Sequence, residues 1–139
     1  DELGRDDLAY GQFGENLTTD GLTEDTVSVG DRFAIGSAVL EDSQPRVPCR
    51  NLAIRMNDPT FPKRFLASRR SGFYLRVIEE GELEAGDAID RIENATDSFT
   101  IRELYELMFG DAQNPAEINR ATELSRLSDE WKRSLATRL

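Results

Sequence analysis

The chain has 139 residues, 38% of them apolar and 32% charged, with a net charge of −10, no histidine, and Cys49 as its single cysteine. That length suits one folded domain, or one compact domain with a small accessory one, and a lone thiol excludes any disulfide framework within the chain. Without histidine the ordinary zinc ligand sets and Ser-His-Asp or Cys-His catalysis are also excluded, and the acidic balance argues against a general nucleic-acid binder, whose affinity rests on phosphate contacts.

The first seven residues are acidic rather than signal-like, and no apolar run approaches the length that spans a bilayer. A cytoplasmic home, with no membrane partner, is the expectation that fits a single free cysteine. The chain opens without methionine, which reads as a fragment. Charge is unevenly spread. Residues 46–76 hold eight basic side chains against Asp58 alone, while the segments on either side are strongly acidic. Such a segment either lines an anion site or forms solvated helix faces.

In chain order, Gly30-Asp31 opens a run over 32–41 in which Phe33, Ile35 and Val39 alternate at strand spacing, and this predicts one strand bent at Gly36. Residues 51–56 and 62–69 have the look of short helices separated by the breaker Asp58-Pro59. They carry the positive segment across the sheet. A second strand is predicted over 73–79, with Phe73, Leu75 and Val77 on one face, Tyr74, Arg76 and Ile78 on the other, and both faces partly covered. Gly86-Asp87 repeats the Gly-Asp entry ahead of a third strand at 88–92. Two such turns leading into strands suggest a β-barrel.

After Ala95 the apolar period changes to about 3.6. Thr100-Ile101-Arg102-Glu103 is a capping box, Phe99 and Leu104 can form the hydrophobic staple, and Gly110 offers a stop, so a helix is predicted over 101–109. Asn114-Pro115 starts a second and Ser128 a third, each with one apolar stripe. Each is too short to be stable alone, so a three-helix bundle over 96–139 is expected, as a unit separable from residues 1–95. A helix-turn-helix reading is the alternative, but Lys132-Arg133 is the segment's one basic pair.

The stretch Ser43-Gln44-Pro45-Arg46-Val47-Pro48-Cys49-Arg50 is the most unusual. Two prolines fix the backbone ahead of the thiol, Arg46 and Arg50 favour a thiolate electrostatically, and a helix begins just beyond. A reactive or metal-binding sulfur fits this setting, and so does a buried structural cysteine.

Taken in order, Phe13-Gly14-Glu15-Asn16-Leu17-Thr18, the Gly30-Asp31 turn, Ser43-Gln44-Pro45-Arg46 with Pro48-Cys49, Asp58-Pro59, Pro62-Lys63-Arg64-Phe65 and Gly72-Phe73-Tyr74-Leu75-Arg76-Val77 resemble the YiiM-like bacterial branch of the MOSC family, the molybdenum-cofactor sulfurase C-terminal domains. The resemblance covers roughly residues 9–92, and the tail resembles the three-helix segment that follows the barrel in that branch. It implies a mixed β and α fold: a MOSC-type β-barrel with short decorating helices (1–95) and a C-terminal three-helix bundle (96–139). Members of the branch begin with further strands and a histidine-containing segment, so the barrel is expected to be partial.

The resemblance further implies association with the molybdenum cofactor (molybdopterin). Cys49 matches the cysteine that ligates molybdenum in relatives that reduce N-hydroxylated compounds. It implies a small N-hydroxylated substrate such as 6-hydroxylaminopurine and a separate electron-donating reductase as partner. A family-level association with pyridoxal phosphate binding comes with it. The candidate cofactor residues are Arg46, Arg50, Asn16, Thr18, Lys63 and Arg64. For Lys63 and Arg64 a solvated helix face is the alternative, and for Asn16 a turn role. Glu15 either pairs with an arginine or organises its loop, Phe73 reads as core, and Tyr74 is undecided. A carrier or sulfur-relay domain using Cys49, or an interaction module acting through the helical tail, are the competing functions.

Overall fold

At Gly36 the chain reverses, so the run 32–41 holds the start of a hairpin and not one bent strand. β1 (Arg32–Ile35) and β2 (Ala38–Pro45) pair antiparallel with Phe33 opposite Leu40. Gly36 has a φ of 57°, and a Cβ there would lie 2.1 Å from the Glu82 carbonyl oxygen. A residue 46 positions away therefore dictates the turn, while the alternation of apolar residues runs on through it. The computed structural model describes Arg5 and residues 7–139, and the rest of the acidic start lies outside them.

β2 continues to Pro45, beyond the expected strand. α1 (Arg50–Met56) and α2 (Phe61–Ser68) follow, and then β3 (Phe73–Glu79) and β4 (Ile89–Glu93). The sheet order is β3-β2-β1-β4, every pair antiparallel, with bulges in the β1–β4 and β2–β3 ladders. This is an open sheet, a partial barrel. β3 is less covered than its pattern predicts, because Tyr74, Val77 and Ile78 are all exposed on that edge strand.

The two sheet faces differ in chemistry. On one, Phe33, Ile35 and Leu40 join the main core. On the other, Glu41 is buried and lies 2.7 Å from Arg32, 3.7 Å from Arg76 and 3.6 Å from Arg126. Arg126 also donates to the Gly30 carbonyl (2.9 Å) and reaches Glu93 (3.2 Å). Asp42 lies across from Asp31, its amide donating to the Asp31 carbonyl (2.9 Å).

The tail forms α3 (Ile101–Phe109), α4 (Pro115–Thr122) and α5 (Asp129–Ala136). The Thr100 hydroxyl accepts from the Glu103 amide (3.1 Å) while the Glu103 carboxylate accepts from the Thr100 amide (2.8 Å), the reciprocal pair of a capping box. Asn114 and Ser128 cap α4 and α5 in the same sense. Leu104, Tyr105, Ile118, Trp131 and Leu135 enter one continuous core with Val27, Val29 and Phe33. Full burial of such a side chain contributes about 1.5–3 kcal/mol, more than the roughly 1 kcal/mol of a typical cap. A second, smaller cluster holds Leu52, Met56, Phe61 and Phe65 between α1 and α2, with Leu8 and Phe13 packed on it.

Candidate functional site

Because α1 and α2 are inserted between β2 and β3, they stand beside the open sheet with the irregular segment 7–22 laid against them. Between these elements lies a groove of about 840 Å³. Residues 13–19 form one wall and Phe61, Arg64, Phe65 and Ser68 of α2 another, and Arg70, Ser71 and the start of β3 also line it. Leu40, Leu75 and Leu83 add to its apolar part. A groove with aromatic and aliphatic walls and a few guanidinium groups suits a flat, partly apolar ligand that carries an anionic group.

Four of the residues singled out in the sequence line this groove: Asn16, Thr18, Arg46 and Arg64. Arg46 is held in place, its guanidinium lying 5.7 Å from the centre of the Phe65 ring and donating to the Phe13 carbonyl. Arg64 reaches Asp58 at 3.3 Å. Hydrogen bonds from the Thr60 hydroxyl (2.7 Å) and amide (2.9 Å), then the Arg64 charge, hold the Asp58 carboxyl below its ordinary range. Thr18 donates its hydroxyl to Glu15 at 3.2 Å, so its oxygen remains as an acceptor towards the groove.

Three others lie outside the groove's lining. Cys49 is exposed, with extended backbone, as the residue that begins α1, and its side chain makes no capping hydrogen bond. A buried structural thiol is therefore not what Cys49 is. Arg50, the first residue of α1, and Lys63, on α2, are both exposed. The basic segment thus splits. Arg46 and Arg64 share a cleft, together with Arg70, which was not among the candidates, whereas Arg50 and Lys63 do not.

Glu15 organises its loop. Its carboxylate accepts from the amides of Gly11 (2.8 Å) and Phe13 (3.1 Å) as well as from Thr18. Burial would raise the Glu15 carboxyl, but the hydrogen bonds from its own backbone, Gly11, Thr18 and Phe13 outweigh it and hold the group below its ordinary range. Phe73 packs on the main core as expected and also lines the groove, and Tyr74 lines it half-exposed. Among the described residues no three His, Cys, Asp or Glu side chains converge to hold a metal ion, and no helix is long and apolar enough to cross a membrane.

Residues 1–90 match the MOSC domain, and residues 99–139 match the YiiM-like 3-alpha helix domain. The chain belongs to the MOSC family, in its YiiM-like branch. It is 34% identical over 127 residues to the uncharacterized protein YflK of Bacillus subtilis, covering 91% of this chain and 58% of that protein. With the protein YiiM of Escherichia coli it shares 30% identity over 126 residues, 91% of this chain and 56% of that one. A protein named reductase from Gibberella moniliformis is 38% identical over 84 residues, which is 60% of this chain but 15% of that protein.

The crystal structure of YiiM from Geobacillus stearothermophilus superposes with a TM-score of 0.91 at 35% identity, over 95% of this chain and 68% of that one. The Escherichia coli YiiM structure gives 0.83 at 30% identity, over 91% of this chain and 62% of that one. This chain thus spans rather more than half the length of the curated YflK and YiiM relatives.

Proposed function

We infer that this chain is the cofactor-holding part of a MOSC oxidoreductase that removes oxygen from N-hydroxylated bases such as 6-hydroxylaminopurine, using electrons from a separate reductase. The observation that carries the inference is the groove of about 840 Å³ whose walls combine Arg46, Arg64 and Arg70 with Phe61, Phe65 and Tyr74. The match of a protein named reductase over 84 residues supports the reaction class.

Two sets of residues have the chemistry for the molybdenum cofactor, the guanidinium groups of the groove and the thiol of Cys49 outside its lining. Cys49 offers a soft donor that is exposed and has no capping bond to give up, and a metal carried by its own organic cofactor needs only one such protein ligand. Arg46 and Arg64 would hold its anionic group. When bound, the cofactor supplies the two-electron chemistry that removes oxygen. The chain's own share is positional: the aromatic walls take a flat ring, and the apolar floor of Leu40, Leu75 and Leu83 keeps water from one side of it.

A second function is favoured by the exposure of Cys49 and its place outside the groove's lining: a carrier that holds the cofactor or a persulfide on Cys49 and passes it on. One experiment separates the two. The full-length protein and its Cys49→Ser variant are assayed for bound molybdenum and for hydroxylaminopurine reduction with a competent electron donor. Reduction and metal that both vanish in the variant fit the enzyme. Metal without reduction in the unaltered protein fits the carrier, and a Cys49→Ser variant with full metal and activity removes Cys49 from both.

A further inference from the structure

The groove wall formed by residues 13–19 has no regular secondary structure, so something other than a helix or strand ladder must hold it. Beside two backbone turn bonds, from the Gln12 amide to Ala9 and from the Gly14 amide to Gly11, the backbone at its start is held by opposite charges. Two amides, Gly11 and Phe13, point to the single carboxylate of Glu15. The carbonyls point the other way, those of Gly11 and Gln12 to the Arg55 guanidinium (2.6 and 3.1 Å) and that of Phe13 to Arg46. Gly11 and Gly14, at φ of 80° and 78°, supply the left-handed turns that such a tight reversal requires.

The arginines connect this loop to the thiol. Arg46 precedes Cys49 by three residues, and Arg55 lies on α1, the helix that Cys49 begins. Phe13 rests 6.1 Å from Phe61, ring centre to ring centre, which fixes the same loop to α2. A displaced loop would therefore move the wall relative to both Cys49 and the guanidinium of Arg46.

We propose that Glu15 is a positioning residue: its carboxylate, working against Arg46 and Arg55, sets where Asn16, Thr18 and Thr19 stand in the groove and so governs how tightly the groove takes its ligand. The proposal deepens the functional reading above and rests on it for the ligand's identity. Carboxylate chemistry is required here. Its two oxygens accept three hydrogen bonds, whereas a glutamine in the same place would turn an NH2 group towards the amide of Gly11 or of Phe13, donor against donor.

Two measurements test this on Glu15→Gln and Glu15→Asp. In the first, amide hydrogen exchange and chemical shifts are recorded by NMR for this chain. Exchange at Gly11 and Phe13 is expected to quicken about tenfold or more in Glu15→Gln, with Asn16, Thr18 and Thr19 shifted and the α3 to α5 amides unchanged; Glu15→Asp recovers part of the protection. Unaltered exchange at Gly11 and Phe13, or unmoved wall residues, overturns the proposal. Should Glu15→Gln lose the α3 to α5 protection as well, Glu15→Asp decides on the same criteria. In the second, bound molybdenum and steady-state reduction of 6-hydroxylaminopurine are measured on the full-length protein; Glu15→Gln is expected to hold less molybdenum and to keep its activity per molybdenum bound, and an unchanged molybdenum content overturns the proposal. An unaltered protein with no reductase activity refutes the functional reading, and the NMR result then decides the role of Glu15 by itself.

Discussion

Glu41 is a buried acid whose loss this structure should feel strongly. Its side chain is 3% exposed and lies within 4 Å of three guanidinium groups, from β1, β3 and the α4–α5 connection. In Glu41→Gln those arginines keep their charges and their places, and among the described residues Glu93 still meets two of them, Arg32 and Arg126. Removing one partner of a fully buried pair costs roughly 3–5 kcal/mol. Here the arginines are about one third exposed, at 32%, 39% and 36%, so water screens part of the repulsion and a loss of about 2–3 kcal/mol is expected.

Glu93 provides the control. It meets Arg32 at 3.2 Å and Arg126 at 3.2 Å but is 41% exposed, so Glu93→Gln should cost under about 1 kcal/mol. Urea unfolding followed by tryptophan fluorescence gives both values, since Trp131 is buried in the shared core. If Glu41→Gln is no more destabilising than Glu93→Gln at equal slope, burial is not what makes this network matter and the reasoning fails.

Asp42 should make stability fall as pH rises. Burial, and then the neighbouring Asp31 charge, push its carboxyl well above the ordinary range; the amides of Gln44 and Ser43 and the charge of Arg76 oppose this, and neither carboxyl oxygen has a hydrogen-bond partner among the described residues. The folded state therefore holds this proton more tightly than the unfolded chain does, so its contribution is complete below the unfolded value of about 4 and is lost as pH climbs through the raised one. Asp42→Asn should flatten that decline, and parallel urea midpoints for the two proteins between pH 5 and pH 8 would show the idea to be wrong. Tyr105→Phe should stabilise by roughly 1 kcal/mol, because the Tyr105 hydroxyl is buried without a partner among the described residues, and burial raises its pKa to about 12. A lower melting temperature for that variant would mean the hydroxyl is satisfied. Cys49→Ser should leave the melting temperature within about 1 °C, since an exposed side chain with no capping bond stabilises little; a larger drop would contradict its exposure.

Where structure depends on neighbours in sequence, it was legible. The capping box at Thr100 and Glu103, the caps at Asn114 and Ser128, and the period of α3 to α5 are all local signals, and each appears where its residues place it. The hairpin was not, because what forbids a side chain at Gly36 is the carbonyl of Glu82. The groove was legible in part. Motif resemblance pointed to Asn16, Thr18, Arg46 and Arg64, but Arg70 is one of eight basic residues in its segment and nothing local marks it as one that lines the groove. Glu15 was ambiguous for a similar reason, since a carboxylate among arginines can pair with them or, as here, oppose them across a loop backbone. The setting of Cys49 fits a buried thiol as well as an exposed one, and no spacing decides between them.

Arg126 carries a consequence for the order of folding. Its bond to Gly30 spans 96 positions, and its other partners, Glu41 and Glu93, come from two different strands. All of its partners are in place only once the β1–β2 hairpin has paired with β4, so completing the junction is a late and entropically expensive step. During synthesis the sheet leaves the ribosome while the helices that cover its core are still unmade. Over that interval Phe33, Val27 and Val29 lack Leu104 and Trp131, and the nascent chain is most open to proteases and to chaperones.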